Sequence, residues 1–327
     1  MNAPVLPEER FEITDESTLF SALAKRLGPI HARQRLGIER EKEAQVFGQG
    51  LNFFHIENWY SIHGVIRGCL RLVGLLRRGE TNCRAINLKE NRFCIPDLPA
   101  AFEGFRILHL SDLHVDMDEQ ALVAMIEKVR PLQYDLCVLT GDYRRDTWGE
   151  IGPAMHGMER LRTHLRGDVL AVLGNHDSIR MLPPLEAQGF RLLMNEHVVV
   201  ERGSDRLYIA GIDDAHYYRV DNLQKAGDGI PSGSTTMLLS HTPEIYRQAA
   251  HAGFDLFLCG HTHGGQICLP GGIPLTLDAD CPRFVGRGYW QFEGMQGYTS
   301  VGSGTSVVNV RLNCPPEVTL HTLTAGP

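Results

Sequence analysis

FRILHLSDLH, residues 105–114, is a short apolar run that ends in a polar turn, and the predicted fold rests on the repetition of this pattern. Runs this short and rich in Ile and Leu are typical of β-strands buried on both faces. The same pattern recurs toward the C-terminus. The later runs are DLCVLT (135–140), DVLAVL (168–173), RLYIA (206–210), TTMLLS (235–240) and DLFLC (255–259).

Helical stretches separate these runs. Apolar spacing predicts helices over Glu119–Val129, Met158–Leu165 and Pro243–Ala252. Strand, polar turn and helix in alternation indicate an α/β architecture. Ligand-binding groups in such folds collect at the carboxyl ends of the strands, and the polar clusters of this chain fall at those ends.

The side chains in these turns are carboxylates, imidazoles and one amide, with no thiolate. Such a set suits divalent Mn, Fe, Ni, Zn or Mg. One His after a strand is more often a turn residue than a ligand, but five of the fifteen His of the chain fall in these turns. The candidates are Asp112, His114, Asp142, Asn175, His176, His241, His261 and His263.

The spacing within two of the clusters indicates how the side chains point. Asp112 and His114, like His261 and His263, are two residues apart, so on extended backbone each pair projects to one side. The carboxylate of Asp142 is the natural bridge between two cations. Two cations about 3.5–4 Å apart can clamp the attacking and leaving oxygens of a phosphoryl displacement.

The motifs DLH (112–114), GDY (141–143), GNHD (174–177), SHTPE (240–244) and GHTHGG (260–265) together resemble the calcineurin-like metallophosphoesterases. The resemblance covers about residues 105–323, and the C-terminal part is similar to a bacterial branch of small phosphodiesterases. It implies an α/β sandwich of two mixed β-sheets flanked by helices, with a dinuclear metal site at the strand ends.

The resemblance also implies a role for each site residue. A metal-bridging hydroxide is the hypothetical nucleophile, and His176 would protonate the leaving group. Asp146 is a candidate for the acidic position that the family often has after its GD motif. The implied roles are a first metal on Asp112, His114 and His263, a second on Asn175, His241 and His261, a bridge at Asp142, His176 over the phosphate, and Asp177 orienting His176.

The reaction favoured by this resemblance is phosphodiester hydrolysis with two divalent metal ions, with Mn preferred. A phosphomonoesterase or protein phosphatase is the first alternative. A UDP-sugar-lipid pyrophosphohydrolase at a membrane surface is the second, although the common enzyme of that pathway has Arg at the position of His176. A metal-bound scaffold without activity is the non-enzymatic alternative, and the complete set of ligand positions speaks against it.

The N-terminal part lacks the strand-and-turn pattern, so we predict an N-terminal helical extension over 1–103 and a catalytic domain over 104–327. Ser17–Glu43 is predicted to be helical with a break at Gly28-Pro29, and Asn87–Pro96 to be an edge strand. Trp59–Leu76 has an apolar stripe at helical spacing with Arg residues outside it. This helix either packs on the catalytic domain, the favoured alternative, or makes a peripheral membrane contact.

Three further segments have weaker patterns. Asp213 and Asp214 either line a substrate groove or cap the segment that follows. Residues 143–145 are expected to form a solvated turn, with phosphate binding by an Arg as the alternative. Val307–Leu312 is predicted to be a strand.

Composition excludes several classes of protein. Of the 327 residues, 43% are hydrophobic and 22% charged, which is typical of a globular protein. The net charge of −7 provides no general attraction for nucleic acid. The eight Cys contain no CxxC motif and are expected to be reduced thiols. Since no secretory signal or membrane span is visible, we expect a cytoplasmic protein, either free or peripheral to the inner membrane face.

Overall fold

The computed structural model describes residues 15–47 and 60–326 of the chain. Its helices lie on both sides of two large β-sheets. None of the helices in these two ranges is long and apolar enough to cross a lipid bilayer. The helices are α1 (Glu16–Leu27), α2 (Pro29–Phe47), α3 (Tyr60–Leu72), α4 (Leu76–Asn82), α5 (Glu119–Val129), α6 (Gly152–Arg162), α7 (Leu182–Ala187), α8 (Leu223–Gly227) and α9 (Tyr246–His251).

The first sheet has six strands in the order β1-β14-β2-β3-β4-β5. Strand β14 is antiparallel to β2 and parallel to β1, and the remaining pairs are parallel, so the sheet is mixed. Its strands are β1 (Asn87–Ile95), β2 (Arg106–Leu110), β3 (Leu136–Thr140), β4 (Val169–Val172), β5 (Arg191–Leu192) and β14 (Glu317–Ala325).

The second sheet also has six strands, in the order β12-β13-β9-β8-β7-β6. Both outer pairs are antiparallel and the inner pairs are parallel, so this sheet is mixed as well. Its strands are β6 (Glu196–Arg202), β7 (Asp205–Gly211), β8 (Thr236–Leu239), β9 (Leu256–Cys259), β12 (Gly288–Phe292) and β13 (Met295–Thr299). The short strands β10 (Cys268–Leu269) and β11 (Ile273–Pro274) form a separate hairpin.

The two sheets pack face to face, and successive side chains of a strand enter different cores. In β3, Val138 lies in the core between the sheets, whereas Leu139 lies in the core beneath α1, α5, α6 and α7. In β9, Leu258 faces the first sheet and Phe257 packs beneath α8 and α9. The sandwich of two mixed sheets flanked by helices is therefore confirmed, and its strands are apolar because both faces are buried.

The six apolar runs predicted as strands all form strands, β2, β3, β4, β7, β8 and β9. Helix α5 has the predicted bounds, α6 begins earlier than predicted, and α9 is shorter. The predicted strand Val307–Leu312 is wrong: this stretch is irregular, and Val307 has a positive φ of 62°. The N–H of Arg311 bonds to the carbonyl of Gly79 in α4, and Leu312 forms an isolated β-bridge with Ile267, so the segment joins neither of the two large sheets.

The predicted N-terminal helices and strand are present where they fall on described residues, except that the helix predicted to reach Leu76 ends at Leu72 and a separate helix begins at Leu76. Helices α1 and α2 are separated at Gly28, and β1 is an edge strand paired only with β14. Trp59 lies outside the described residues. The division at residue 103 stays a prediction, and β1 lies before that position yet belongs to the first sheet.

Candidate metal centre

The seven predicted metal ligands lie just beyond the carboxyl ends of strands from both sheets. Asp112, Asp142 and Asn175 follow β2, β3 and β4 of the first sheet, whereas His241 and His261 follow β8 and β9 of the second. Five of the seven have positive φ values between 40° and 71°, which is uncommon for residues other than glycine. Such backbone strain is typical of functional sites. The five are Asp112, His114, Asp142, His261 and His263.

Asp112, His114 and His263 form the first cluster, and all three are buried. The Nε2 atoms of His114 and His263 are 3.3 Å apart, and Nε2 of His263 lies 3.4 Å from Oδ1 of Asp112. Two imidazole nitrogens and one carboxylate oxygen of the predicted first set of ligands therefore lie close together, and their role as metal ligands stays a prediction.

Asp142, Asn175, His241 and His261 form the second cluster. Nε2 of His241 lies 2.8 Å from Oδ1 of Asn175, 3.2 Å from Nδ1 of His261 and 3.3 Å from Oδ2 of Asp142. The same Oδ2 is 3.9 Å from Nε2 of His114 in the first cluster. Asp142 thus occupies the position between the clusters that a bridging carboxylate requires.

Backbone groups fix the orientation of the imidazole rings. Nδ1 of His114 donates to the carbonyl of Arg144 at 2.8 Å, and Nδ1 of His241 donates to the carbonyl of Thr140 at 2.7 Å. In both rings Nε2 is thereby left facing the site, which is the arrangement of metal-binding histidines. Nη2 of the buried Arg311 lies 3.2 Å from Nδ1 of His263, a contact that no local pattern in the sequence indicates.

The loops need a glycine where they approach most closely. A Cβ atom at Gly260 would lie 1.9 Å from Oγ of Ser111 and 2.3 Å from Oδ2 of Asp112. Only a residue without a side chain lets the loop after β9 approach the loop after β2 at this distance.

Burial and neighbouring charges shift the pKa values of the buried cluster. The pKa of Asp112 is raised to about 6, first by burial and also by the charge of Asp142. Although burial opposes its charged form, His241 has a pKa raised to about 10, chiefly by the carboxylate of Asp142. The buried carboxylates thus favour positive charge beside them, which a divalent cation shared by several donors would provide.

The other imidazoles favour the neutral form that binds metals. Burial lowers the pKa of His114 to about 4 and holds the pKa values of His261 and His263 well below their usual range. In addition, Nε2 of His261 is buried without a hydrogen-bond partner, although Nδ1 of this ring faces the second cluster. The donor set, four imidazoles, two carboxylates and one amide, fits two divalent cations of borderline hardness.

His176 lies beside the second cluster and is one-fifth exposed. Its Nε2 is 4.0 Å from Oδ2 of Asp142, and its Nδ1 is 3.2 Å from Oγ1 of Thr147. Its backbone N–H donates to Oδ1 of Asp142 at 2.9 Å. The ring therefore borders both the predicted bridge and the solvent, and its catalytic role stays a prediction.

Asp177 has a different function from the one expected. Its carboxylate does not orient the His176 ring but accepts hydrogen bonds from the backbone N–H groups of Asp142, Gly174 and Tyr143, at 2.8, 2.8 and 2.9 Å. These N–H groups lie beyond the ends of β3 and β4, where the strand pairing stops. The buried carboxylate takes their place as acceptor and joins the two loops that carry Asp142 and Asn175.

Residues after the bridge also depart from expectation. Tyr143 and Arg144 are buried, so this is not a solvated turn; Arg144 donates to backbone carbonyls, among them that of His176 at 2.5 Å. A buried guanidinium satisfies several carbonyls at once, which explains its place inside the loop. Asp146 is exposed and pairs with Arg145 at 2.5 Å, so it lies away from the metal clusters.

In the loop after β7, Asp214 caps the segment that follows, whereas the carboxylate of Asp213 contacts His31 of α2. Asp214 accepts from the N–H groups of residues 216–218. The loop nevertheless borders the site, because the ring of His216 lies 4.2 Å from that of His261 and its Nδ1 is 2.8 Å from Oε1 of Glu244.

Helix α2 provides site-bordering residues that sequence reasoning missed. Its His31, Arg35 and Glu39 are buried against the loops after β4 and β7. Charged residues on a polar helix usually face solvent, and these three are far along the chain from their partners. No local pattern in the sequence could have identified them.

Comparisons with known proteins agree with this geometry. The family model for calcineurin-like phosphoesterases matches residues 105–265. The metallophosphoesterase YkoQ of Bacillus subtilis is 30% identical over 262 residues, covering 77% of this chain and 96% of YkoQ. The phosphodiesterase YaeI of Escherichia coli is 28% identical over 232 residues, covering 66% of this chain and 81% of YaeI.

A solved structure of the phosphoesterase Yfce from E. coli aligns with a TM-score of 0.31 and 14% identity, over 62% of this chain and 82% of that one. The match to YkoQ extends over nearly the whole of that relative, and the family motifs of this chain lie in its two buried clusters. The chain belongs to the calcineurin-like phosphoesterase family.

Proposed function

We propose that this protein hydrolyses phosphodiesters with two divalent metal ions bound at the centre described above. The observation that carries the proposal is the convergence of seven donor side chains into two clusters with Asp142 between them. Sites that hold two cations in this way serve in-line phosphoryl displacement in many hydrolases.

The first cation would be held by Asp112, His114 and His263, and the second by Asn175, His241 and His261, with Asp142 shared. Among Mn, Fe, Ni, Zn and Mg we favour Mn, since the donors mix imidazole with oxygen and include no thiolate. Two cations held there would activate a water molecule for attack on phosphorus and neutralise charge on the phosphoryl oxygens.

The protein's own contribution to proton transfer is assigned to His176. Its ring borders the solvent within 4.0 Å of the carboxylate of Asp142, so a phosphoester over the centre is within its reach. We propose that its imidazole donates the proton that the departing alkoxide requires, while Thr147 holds Nδ1. Asp177 supports this arrangement by fixing the backbone of the loop rather than the ring.

The preference for diesters rests on the similarity to YaeI, a phosphodiesterase by name. The alternatives are a phosphomonoesterase or protein phosphatase and a UDP-sugar-lipid pyrophosphohydrolase. Turnover of bis-p-nitrophenyl phosphate and p-nitrophenyl phosphate in saturating Mn²⁺ separates diester from monoester activity. A higher kcat/KM for the monoester would overturn the diester assignment. Faster turnover of UDP-diacylglucosamine than of simple diesters would favour the pyrophosphohydrolase.

Substitution of the bridge tests the metal centre itself. Asp142→Asn removes a charge that both cations share, so metal content of the purified variant, measured by mass spectrometry, is expected to fall by at least one ion per chain. Glu41→Gln on the exposed surface of α2 is the matched control. Unchanged stoichiometry in Asp142→Asn would exclude the bridging role.

Substitution of His176 tests the proton donor. His176→Ala is expected to keep its metals and to lose about 10²–10⁴ in kcat on a diester with an alkyl leaving group. The loss on a p-nitrophenyl diester should be much smaller, because p-nitrophenolate leaves without a proton. Equal losses on both substrates would contradict the assignment. Inactivity of the metal-loaded wild type over a broad panel of phosphoesters would favour the scaffold alternative.

We also propose that helix α3 makes a peripheral membrane contact, at the inner membrane face if the protein is cytoplasmic. Val65, Leu72 and Val73 are 60%, 88% and 63% exposed, and Arg71, Arg77 and Arg78 lie exposed nearby. Apolar side chains beside cations suit the surface of an anionic bilayer. The opposite side of this segment packs on the catalytic domain through Leu70 and Leu76, as the favoured alternative predicts.

A further inference from the structure

Helix α2 contacts loops from both sheets beside the metal centre. We propose that it is a positioning element of that centre and that Arg35 is its principal residue. The inference rests on the dinuclear site of the proposed function and adds to it a part of the chain that lies outside the family match at 105–265.

Arg35 is fully buried and is held from several directions. Nη1 pairs with Oε1 of Glu39 at 3.0 Å, and Nε lies 3.4 Å from Oδ1 of Asp213. The guanidinium stacks over the ring of Tyr218, 3.3 Å from its centroid. Among the described residues Nε and Nη1 make ion pairs but no hydrogen bond, so the guanidinium is positioned by the hydrogen bond of Nη2, the two carboxylates and the face of the Tyr218 ring together.

On the side of the first sheet, Arg35 and Glu39 fix the loop after β4. Nη2 of Arg35 donates to the carbonyl of Asp177 at 2.9 Å. Glu39 accepts from the N–H of Ile179 at 2.6 Å and from Oγ of Ser178 at 2.8 Å. Three consecutive residues of this loop are thus bonded to α2.

The same loop determines where the bridging carboxylate lies. The side chain of Asp177 holds the N–H groups of Asp142 and Gly174, and Gly174 directly precedes the ligand Asn175. Displacement of Asp177 would therefore move the backbone of Asp142 and Asn175 together. Arg35 acts on the metals through this chain of contacts and touches none of the donors.

On the side of the second sheet, α2 is joined to the loop after β7. Nε2 of His31 lies 2.8 Å from Oδ2 of Asp213. The backbone N–H of Asp213 in turn donates to Oδ1 of Asn195. The next residues of this loop lead to His216, whose ring contacts the ligand His261. The predicted metal donors come from both sheets. Because α2 binds the loop after β4 of the first sheet and the loop after β7 of the second, we infer that it helps to set the distance between the loops of the two sheets.

A purely stabilising role would not require this chemistry. Apolar residues of similar volume often stabilise a fold as well as a buried ion pair does, because charges lose their hydration on burial. A guanidinium instead makes directional contacts, and those of Arg35 end on the loop that carries Asn175 and on the loop that carries His216.

Titration of Mn²⁺ into metal-free protein tests the proposal with two substitutions of Arg35. Arg35→Met removes the charge and its hydrogen bonds, and Arg35→Lys keeps the charge but loses the planar fork. Both variants are expected to bind the weaker of two Mn²⁺ ions at least about tenfold less tightly than wild type, the effect of losing an outer contact to a metal site. Arg40→Met, which breaks only the exposed pair with Glu16, is the control.

Electron paramagnetic resonance of the Mn²⁺-loaded proteins gives a second readout. Wild type and Arg40→Met should show the spectrum of two coupled ions, and the Arg35 variants a larger share of uncoupled Mn²⁺. Unchanged Mn²⁺ affinity and coupling in a folded Arg35→Lys, even with a lower Tm, would overturn the positioning role. If Arg35→Met fails to fold, Arg35→Lys decides. Wild type that binds no second Mn²⁺ would instead overturn the dinuclear centre of the proposed function.

Discussion

Helices α2 and α3 lie in the same N-terminal part of the chain but are attached to the protein in opposite ways. Helix α2 is polar along most of its length and is bound through buried charges, those of His31, Arg35 and Glu39. Helix α3 has a pronounced apolar stripe, yet Val65 and Leu72 of this helix are largely exposed. Apolar periodicity therefore does not show which of the two is integrated into the fold.

The difference has a physical reason. The contacts of α2 end on the loop after β4, which carries the predicted donor Asn175, and on the loop after β7, where buried backbone groups and carboxylates need charged or polar partners. The contacts of α3 and α4 end on the irregular segment at residues 308–312, which offers apolar side chains. The polar contacts of α2 orient the loops that they bind, whereas the contacts of α3 and α4 mainly remove apolar surface from water. Substitutions in the two helices should consequently affect different properties.

The largest effect is expected from Glu39→Ala in α2. It leaves Arg35, Ser178 and the N–H of Ile179 without their buried partner, which should cost about 3–5 kcal/mol of unfolding free energy. Urea denaturation measured with and without Mn²⁺ gives this value and the accompanying loss of metal affinity. Glu41→Ala, at an exposed position of the same helix, should cost less than about 0.5 kcal/mol. A cost for Glu39→Ala near that of the control would show that the two helices are attached alike.

A smaller effect is expected from Gly79→Ala in α4. The added Cβ would lie 2.3 Å from Cγ1 of Val310, and overpacking of this kind costs about 1–3 kcal/mol. The Mn²⁺ affinity should fall less than in Glu39→Ala, because the added methyl group removes no hydrogen bond: the Gly79 carbonyl still accepts from the N–H of Arg311, whose Nη2 lies 3.2 Å from Nδ1 of His263. Gly68→Ala, in open space on α3, is the matched control. A loss of Mn²⁺ affinity in Gly79→Ala as large as in Glu39→Ala would contradict the difference between the two interfaces.

Six strands and the candidate metal donors leave a local signal in the sequence. Each of these strands lies in an apolar run, and the candidate donors come shortly after such runs, as Asp142 follows β3. Buried strands with mixed composition, such as β13, leave no such signal. The carboxyl ends of parallel strands meet at one edge, so the topology brings the donors together without further information.

What could not be predicted depends on long-range pairing. Arg35 bonds to Asp177 from 142 positions away, and nothing near Arg35 in the chain distinguishes it from a solvated residue. The stretch Val307–Leu312 fails for the opposite reason: buried irregular chain and buried strand have the same apolar composition. The position of Asp177 in the GNHD motif predicts a contact with the His176 ring. The carboxylate lies instead where it can accept hydrogen bonds from backbone N–H groups that have no strand partner.

Removal of the metal ions tests the difference between α2 and α3 without any substitution. Chelation releases the loops after β3 and β4, so amide hydrogen exchange is expected to become severalfold faster at Asp177–Ile179 and in the central turns of α2. The exchange of α3 in the same sample should change little, which makes it an internal control. Hydrogen exchange followed by mass spectrometry measures both. Equal acceleration in the two helices would indicate that metals stabilise the protein only globally.

The smallest effect on stability is expected from Leu72→Ser in α3. This side chain is 88% exposed, so its loss should change the unfolding free energy by less than about 0.5 kcal/mol. Hydrolysis of soluble diesters should also be unchanged, since Leu72 contacts no part of the site. Binding to vesicles of phosphatidylglycerol and phosphatidylcholine should nevertheless fall about five- to thirtyfold, because insertion of a Leu side chain is worth roughly 1–2 kcal/mol. Val199→Ser, at an exposed position of β6, should leave vesicle binding intact. If Leu72→Ser binds vesicles as wild type does, the exposed apolar residues of α3 have no membrane role, and α3 differs from α2 only in how loosely it is packed.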